Sequence, residues 1–165
     1  MKTDSLKQLL RLCLFVLAQA LVFNRILIFG CATPLLYVYF VITFPRSYPQ
    51  WGLLLWSFVM GLLIDMFANT PGIACASLTL IALLQPYMLK LFLPRDADEH
   101  IAASAKTLGW SQFASLASIL TLIYCTVFYT IEAFTFFNWL QWLQSVGGST
   151  VLTMLLILTF ETVKK

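Results

Sequence analysis

The chain has 165 residues, 61% of them hydrophobic and only 10% charged, with a formal net charge of +3. A soluble domain carries about 25% charged residues, so this composition excludes a water-soluble fold and points to one polytopic membrane domain covering 1–165. The longest polar stretch, Pro94 to Gly109, is too short to hold a separate core.

Membrane helices need about 20 mostly apolar residues, and the apolar runs predict about six, in one compact all-α bundle. Span one is expected at 5–23. Ala18-Gln19-Ala20 resembles a signal-peptide cleavage site after Lys2, Lys7 and Arg11, but cutting there leaves a chain beginning inside another apolar run, so the segment reads as an uncleaved span. Asn24-Arg25 is a tight turn, and span two follows at 26–44 with Pro34 inside it, where proline should bend the helix. After a short loop with Pro45, Arg46 and Pro49 come span three at 51–67 and span four at 71–93. Thr70 is expected to cap span four and Pro71 to open it. Pro86 should kink its last third. Spans five and six are expected at 111–131 and 149–163. Between them Phe136, Trp139, Leu140 and Leu143 recur at helical spacing opposite Asn138, Gln141 and Ser145, which predicts a short interfacial helix ended by Gly147-Gly148.

Charge orients these spans. With the N-terminus inside, Lys2, Lys7, Arg11, Arg46, Lys90, Arg95, Lys106, Lys164 and Lys165 fall on the inner side and only Arg25 on the outer, which accounts for all 10 basic residues. Both termini are then cytoplasmic. Trp51 and Trp110 start spans at the inner face, while Trp139 and Trp142 lie in the outer connection.

The sharpest chemical feature is Asp65, a carboxylate near the outer end of span three and near the negative end of that helix's dipole. Lipid penalises it by roughly 2.5 to 3.5 kcal/mol at a helix centre and less near an interface, so a partner, water or protonation should offset the cost, and Arg25 is the partner candidate. Ser57, Gly61 and Asp65 share one face of span three at intervals of four, and Gly72 and Ala76 do the same in span four. Ser111, Ser115, Ser118, Thr121 and Cys125 form a further stripe in span five. Small residues let membrane helices approach closely, so these stripes read as packing seams. Catalysis is not expected: the chain has no HExxH, no Gly-rich phosphate loop and no Ser/His pair in the membrane. An aspartyl mechanism would need a second carboxylate beside Asp65, and Glu132 is a distant candidate. No metal or cofactor is expected either, since the four cysteines form no CxxC and the one histidine, His100, lies in the polar loop.

Gly61-Leu62-Leu63-Ile64-Asp65, followed by Pro71-Gly72-Ile73 and a small-residue helix, resembles the rod shape-determining protein MreD family. Pro34 matches that family's early proline, and the wording CATPLLYVYFVITF looks like its Bacteroidetes members. The resemblance covers about Pro34 to Leu93. It implies a non-catalytic inner-membrane scaffold of the bacterial cell-wall elongation (Rod) complex, acting in cell shape and lateral peptidoglycan synthesis. The implied partners are MreC, MreB, RodA and a class B penicillin-binding protein, with membrane lipid around it and no nucleic acid. The family is also similar in fold to the substrate-binding components of energy-coupling-factor transporters. That supplies the alternative expectation, a vitamin-like small-molecule binding subunit, although the Ala-x-x-x-Ala contact typical of those components is absent: Val22 follows Ala18 and Asn24 follows Ala20 four residues on.

Overall fold

The computed structural model describes residues 2–21, 34–45, 47–92, 104–133 and 138–163, all helical or in short connections. The helices are α1 Lys2–Leu21, α2 Val38–Ile42, α3 Gln50–Ala68, α4 Ile73–Phe92, α5 Ala105–Leu108, α6 Trp110–Ala133 and α7 Trp139–Val163. Four of them, α3, α4, α6 and α7, are long and apolar enough to cross a membrane. Within α1 the apolar stretch is shorter, Gln8–Gln19.

Expected spans three, four and five agree with α3, α4 and α6 to within about two residues, the usual uncertainty of a helix end. The α3–α4 hairpin packs on α6 through α4, α7 packs on α6, and α1 lies against α3. Outward faces carry Leu10, Leu14, Leu17, Leu55, Leu62, Leu122, Val151 and Leu155, all exposed. An apolar exterior of this extent would be a liability in water; in a bilayer it meets a matching solvent.

Two expected elements differ. The first is span two, whose residues 22–33 and Arg25 lie outside the described residues. From Pro34 onward the chain is not a continuous helix bent at proline. Pro34 stands in non-helical backbone, and regular helix is confined to five residues, Val38–Ile42. Tight bonds lead into it, from the Val38, Tyr39 and Phe40 amides to the carbonyls three residues earlier, and Phe44 closes it in the same way onto Val41. These are 3₁₀-type bonds, used where an α-helix cannot be propagated. The local sequence explains the interruption: Val, Tyr, Phe and Ile are middling helix formers, and the Thr43 hydroxyl donates back to the Tyr39 and Phe40 carbonyls at 3.1 Å.

This broken segment is the centre of the molecule. Leu35 through Ile42 are all buried, and α2 touches α1, α4 and α6. Irregular backbone survives at membrane depth only where protein surrounds it and satisfies its polar groups. Three side chains supply that here. Gln19 of α1 donates Nε2 to the Pro34 carbonyl at 2.9 Å, Thr153 of α7 accepts from the Leu35 amide at 3.1 Å, and Gln85 of α4 donates Nε2 to the Phe44 and Ile42 carbonyls at 3.3 and 3.4 Å. Aromatic rings fill the space between: Phe15 meets Tyr39 and Phe40, and Phe40, Phe44 and Tyr48 form an edge-to-face series.

The second difference is α7. No short interfacial helix stops at Gly147-Gly148; α7 runs unbroken through both glycines from Trp139. Trp139, Leu140 and Leu143 are exposed, but so are Asn138 and Gln141, whereas Ser145 is buried, so the expected two-faced pattern is absent. A helical glycine costs about 1 kcal/mol relative to alanine, while each backbone group left unpaired in hydrocarbon costs several. Continuation is the cheaper state. Likewise α4 continues through Pro86 to Phe92.

Candidate functional site

Asp65 lies 7% exposed in the last turn of α3 and joins that helix to the next. Its backbone ends α3: the Asn69 and Thr70 amides both donate to the Asp65 carbonyl, Asn69 being left-handed at φ 56°. The bond from Thr70, five residues on, is the six-to-one closure of a Schellman motif, and Asn tolerates the left-handed position. Its side chain begins α4. Oδ1 accepts from the Ala74 amide and the Thr70 hydroxyl, and Oδ2 accepts from the Cys75 amide, each at 2.9 Å.

Ala74 and Cys75 are the second and third residues of α4, the positions whose free amides an N-cap side chain normally takes. The residue preceding α4 is Gly72, which has no side chain and stands at φ +83°. Its carbonyl accepts the first helical bond, from Ala76 at 3.0 Å. Gly72 leaves the cap vacant and Asp65 fills it from the neighbouring helix. The carboxylate therefore faces the positive end of the α4 dipole, which offsets its place near the negative end of α3. Sequence reading counted only the unfavourable dipole. It also assigned the cap to Thr70, which instead donates its hydroxyl to Asp65. Pro71 is exposed in the turn and precedes the first helical residue by two. The expected Asp65–Arg25 contact falls on a residue outside those described; the hairpin's own three donors occupy both carboxylate oxygens.

Gly61, one turn below Asp65, fixes how close the two helices come. A Cβ built on it would lie 2.5 Å from the Cys75 Cα, 2.8 Å from its amide nitrogen and 3.0 Å from the Ala74 carbonyl oxygen. All three are backbone atoms, so only glycine fits. Ser57 is fully buried on the same face, which places the Ser57–Gly61–Asp65 stripe at the seam as expected. Its Oγ has no partner among the described residues.

The expected α4 half of the seam is out of phase. Gly72 and Ala76 are exposed, and the buried face is Ala74, Ser77, Leu78, Ile81, Ala82, Gln85 and Leu89. The capping bonds explain the rotation: turning the Ala74 and Cys75 amides toward Asp65 sends Ala76 outward. In α6 the expected stripe also fails at its start, since Ser111 and Ser115 are exposed. Ser115 satisfies its hydroxyl on the Ser111 carbonyl at 2.9 Å, a bond within its own helix that tolerates lipid. Thr121 and Cys125 are buried, beside Phe113, Leu116, Leu120 and Tyr124.

Sequence reading missed a second polar system. The buried residues of α7 are Ser145, Ser149, Thr153, Ile157 and Glu161, one at every fourth position. Ser149 pairs with the Tyr129 hydroxyl at 2.6 Å, Thr153 takes the Leu35 amide, and the Glu161 carboxylate accepts from the hydroxyls of Tyr39 and Ser104 at 2.5 Å each. Glu161 is 4% exposed, unlike the exposed Glu132 that the sequence singled out. Near the centre, Tyr37 of the α2 approach and Tyr124 of α6 share a hydroxyl–hydroxyl bond at 2.5 Å with their rings edge to face. The four-residue spacing of Ser145, Ser149 and Thr153 on α7, continued through Ile157 to a carboxylate at Glu161, is the signal that could have revealed this system.

The tyrosine pair makes a clear prediction. Tyr37→Phe or Tyr124→Phe alone leaves one buried hydroxyl unpaired and should destabilise by about 1–3 kcal/mol, whereas the double change replaces both partners by apolar rings and should cost less than the two singles summed. Unfolding of the purified variants in detergent gives the cycle directly.

Chemically, these groups bind one another. Among the described residues no three His, Cys, Asp or Glu side chains gather in a way that could hold a metal ion. The carboxylates Asp65 and Glu161 sit at opposite ends of the bundle: Asp65 is at the first turn of α4, while Gln85, about 17 Å further along that helix at 1.5 Å per residue, holds the segment just beyond Tyr39, the partner of Glu161. Compared with known protein families, curated proteins and solved structures, the chain matches none. Function must therefore be argued from the residues themselves.

Proposed function

We propose that this chain is a non-catalytic scaffold of the bacterial inner membrane, serving the cell-wall elongation complex, as the MreD-like wording of Gly61–Asp65 and Pro71–Gly72 implies. The observation that carries the reading is the hydrogen bonding of Asp65. The residue with the greatest chemical potential in the resembling segment spends both oxygens and its carbonyl on joining α3 to α4. The MreD-like wording thus has a purely architectural use, and a protein of shape is what a scaffold requires. Since the described residues are almost all in helices, partners such as MreC, RodA and a class B penicillin-binding protein would be met at membrane depth and at its edges, with MreB on the cytoplasmic side.

Six spans with both termini cytoplasmic belong to the same proposal. Pro34–Phe44 supports it by running from Gln19 in the last turn of α1 to Gln85 in the second half of α4, packed against α1, α4 and α6. The carrier alternative draws on the same segment, because interrupted helices line the sites of many transporters. Here, however, the Pro34, Ile42 and Phe44 carbonyls are already taken by glutamine side chains.

The two readings separate in cells. Tagged protein solubilised in mild detergent should bring MreC with it, and its depletion should round the cells. Recovery of no wall-synthesis protein, together with normal shape and a new nutritional requirement, would sink the scaffold and favour the carrier.

A further inference from the structure

Glu161 joins two parts of the chain far apart in sequence. One oxygen accepts from Ser104, which immediately precedes α5, and the other from Tyr39 in the middle of α2. Eight residues earlier on the same face of α7, Thr153 accepts from the Leu35 amide. The helix therefore grips the broken central segment at two points about 12 Å apart along its axis. Ser104 also stabilises the start of α5, since its carbonyl accepts from the Thr107 and Leu108 amides, its hydroxyl oxygen accepts from the Lys106 amide at 3.4 Å, and the Thr107 hydroxyl oxygen accepts from its amide. The Ser104 end is continuous with the most polar stretch of the chain, which carries Arg95, Asp96, Asp98, Glu99, His100 and Lys106.

We propose that the Ser104–Glu161–Tyr39 clamp is a mechanical coupling, through which the position of the Ser104–Leu108 turn sets the position of the buried α2 segment. The reason is geometric. A single carboxylate holds both hydroxyls, and its helix is fastened to the α2 approach again at Thr153, so pulling Ser104 away shifts an oxygen that α2 also depends on. Helix α2 has only five residues and no long hydrogen-bonded ladder of its own, so its place depends on the side chains that hold it. Anything that displaces Ser104 and α5 then acts on the centre of the bundle without entering it. This inference stands apart from the identity of the partner, and it holds for a scaffold or a carrier.

Hydrogen exchange on the full-length protein in detergent micelles tests it. Ser104→Ala removes the bond to Glu161 and the weaker one from the Lys106 amide, neither of which touches α2, yet it should accelerate exchange about tenfold in peptides covering 38–44 as well as in those covering 104–108, the size expected when one hydrogen bond to a carboxylate is lost. Tyr39→Phe should do the reverse, loosening 104–108 from a change made in α2, because coupling between two sites is reciprocal. Glu161→Ala should loosen both segments at once. If it fails to fold, the two single-hydroxyl variants carry the test by themselves. An effect of Ser104→Ala confined to 104–108, or no effect anywhere, overturns the coupling, as does a Tyr39→Phe effect confined to α2.

Discussion

Asp65→Ala is expected to destabilise the protein by about 3–5 kcal/mol, because it leaves two backbone amides and a hydroxyl without their acceptor at a site where Asp65 is itself buried. The loss exceeds that of an ordinary N-cap, about 0.5–2 kcal/mol, since the same side chain also ties the Thr70 turn. Asp65→Asn should lie between, for its carbonyl oxygen can still serve Ala74 and Thr70 while its amide group opposes the Cys75 N–H. Denaturant unfolding in detergent ranks the three proteins. Equal stability of wild type and Asp65→Ala would remove the carboxylate from its capping role.

Gly61→Ala is the second large effect. The added methyl would press on Cys75 backbone that cannot rotate away, so α3 and α4 must separate. Overpacking of this kind costs about 1–3 kcal/mol, and separation also lengthens the Asp65 bonds one turn above. The penalty should therefore be less than additive in the Gly61→Ala/Asp65→Ala double variant, where the capping bonds are already gone. A thermal melt of the four proteins in one detergent measures this, and an unchanged melting temperature for Gly61→Ala would refute the close approach. Gly72→Ala probes a separate constraint, the left-handed φ of +83° with open space around it, and its cost should add to that of Gly61→Ala.

The sequence exposed those features whose signal is carried by spacing along one helix. Length and hydropathy placed α3, α4 and α6, and the interval of four identified Ser57, Gly61 and Asp65 as one face. What it could not expose was rotation of one element against another. Gly72 and Ala76 repeat at four like their counterparts in α3, but the phase of α4 is fixed by which amides the Asp65 carboxylate takes, a contact across the turn. The break around α2 was hidden for a different reason. Hydropathy sees 26–44 as one apolar run, and the glutamines and threonine that make irregular backbone tolerable there come from α1, α4 and α7. Glu161 escaped notice because it stands four residues from the chain's end beside two lysines, where a carboxylate ordinarily reads as solvated. Only the five-member series from Ser145 onward marks it as inward-facing.

That series has a consequence for how α7 finds its place. Helices already in a bilayer gain nothing from hiding apolar surface from lipid, so a largely aliphatic helix could dock in several registers of similar energy. Under a slip of one turn in one direction Ser145 and Ser149 take the places of Ser149 and Thr153, each offering a hydroxyl where its neighbour did, whereas in the other direction Ile157 would replace Thr153. Glu161 has no such stand-in. A slip of four residues in one direction would bring Ile157 against the hydroxyls of Tyr39 and Ser104 and strand both, while a slip the other way would carry the carboxylate past them. The hydroxyls let α7 slide, and the one carboxylate tells it where to stop.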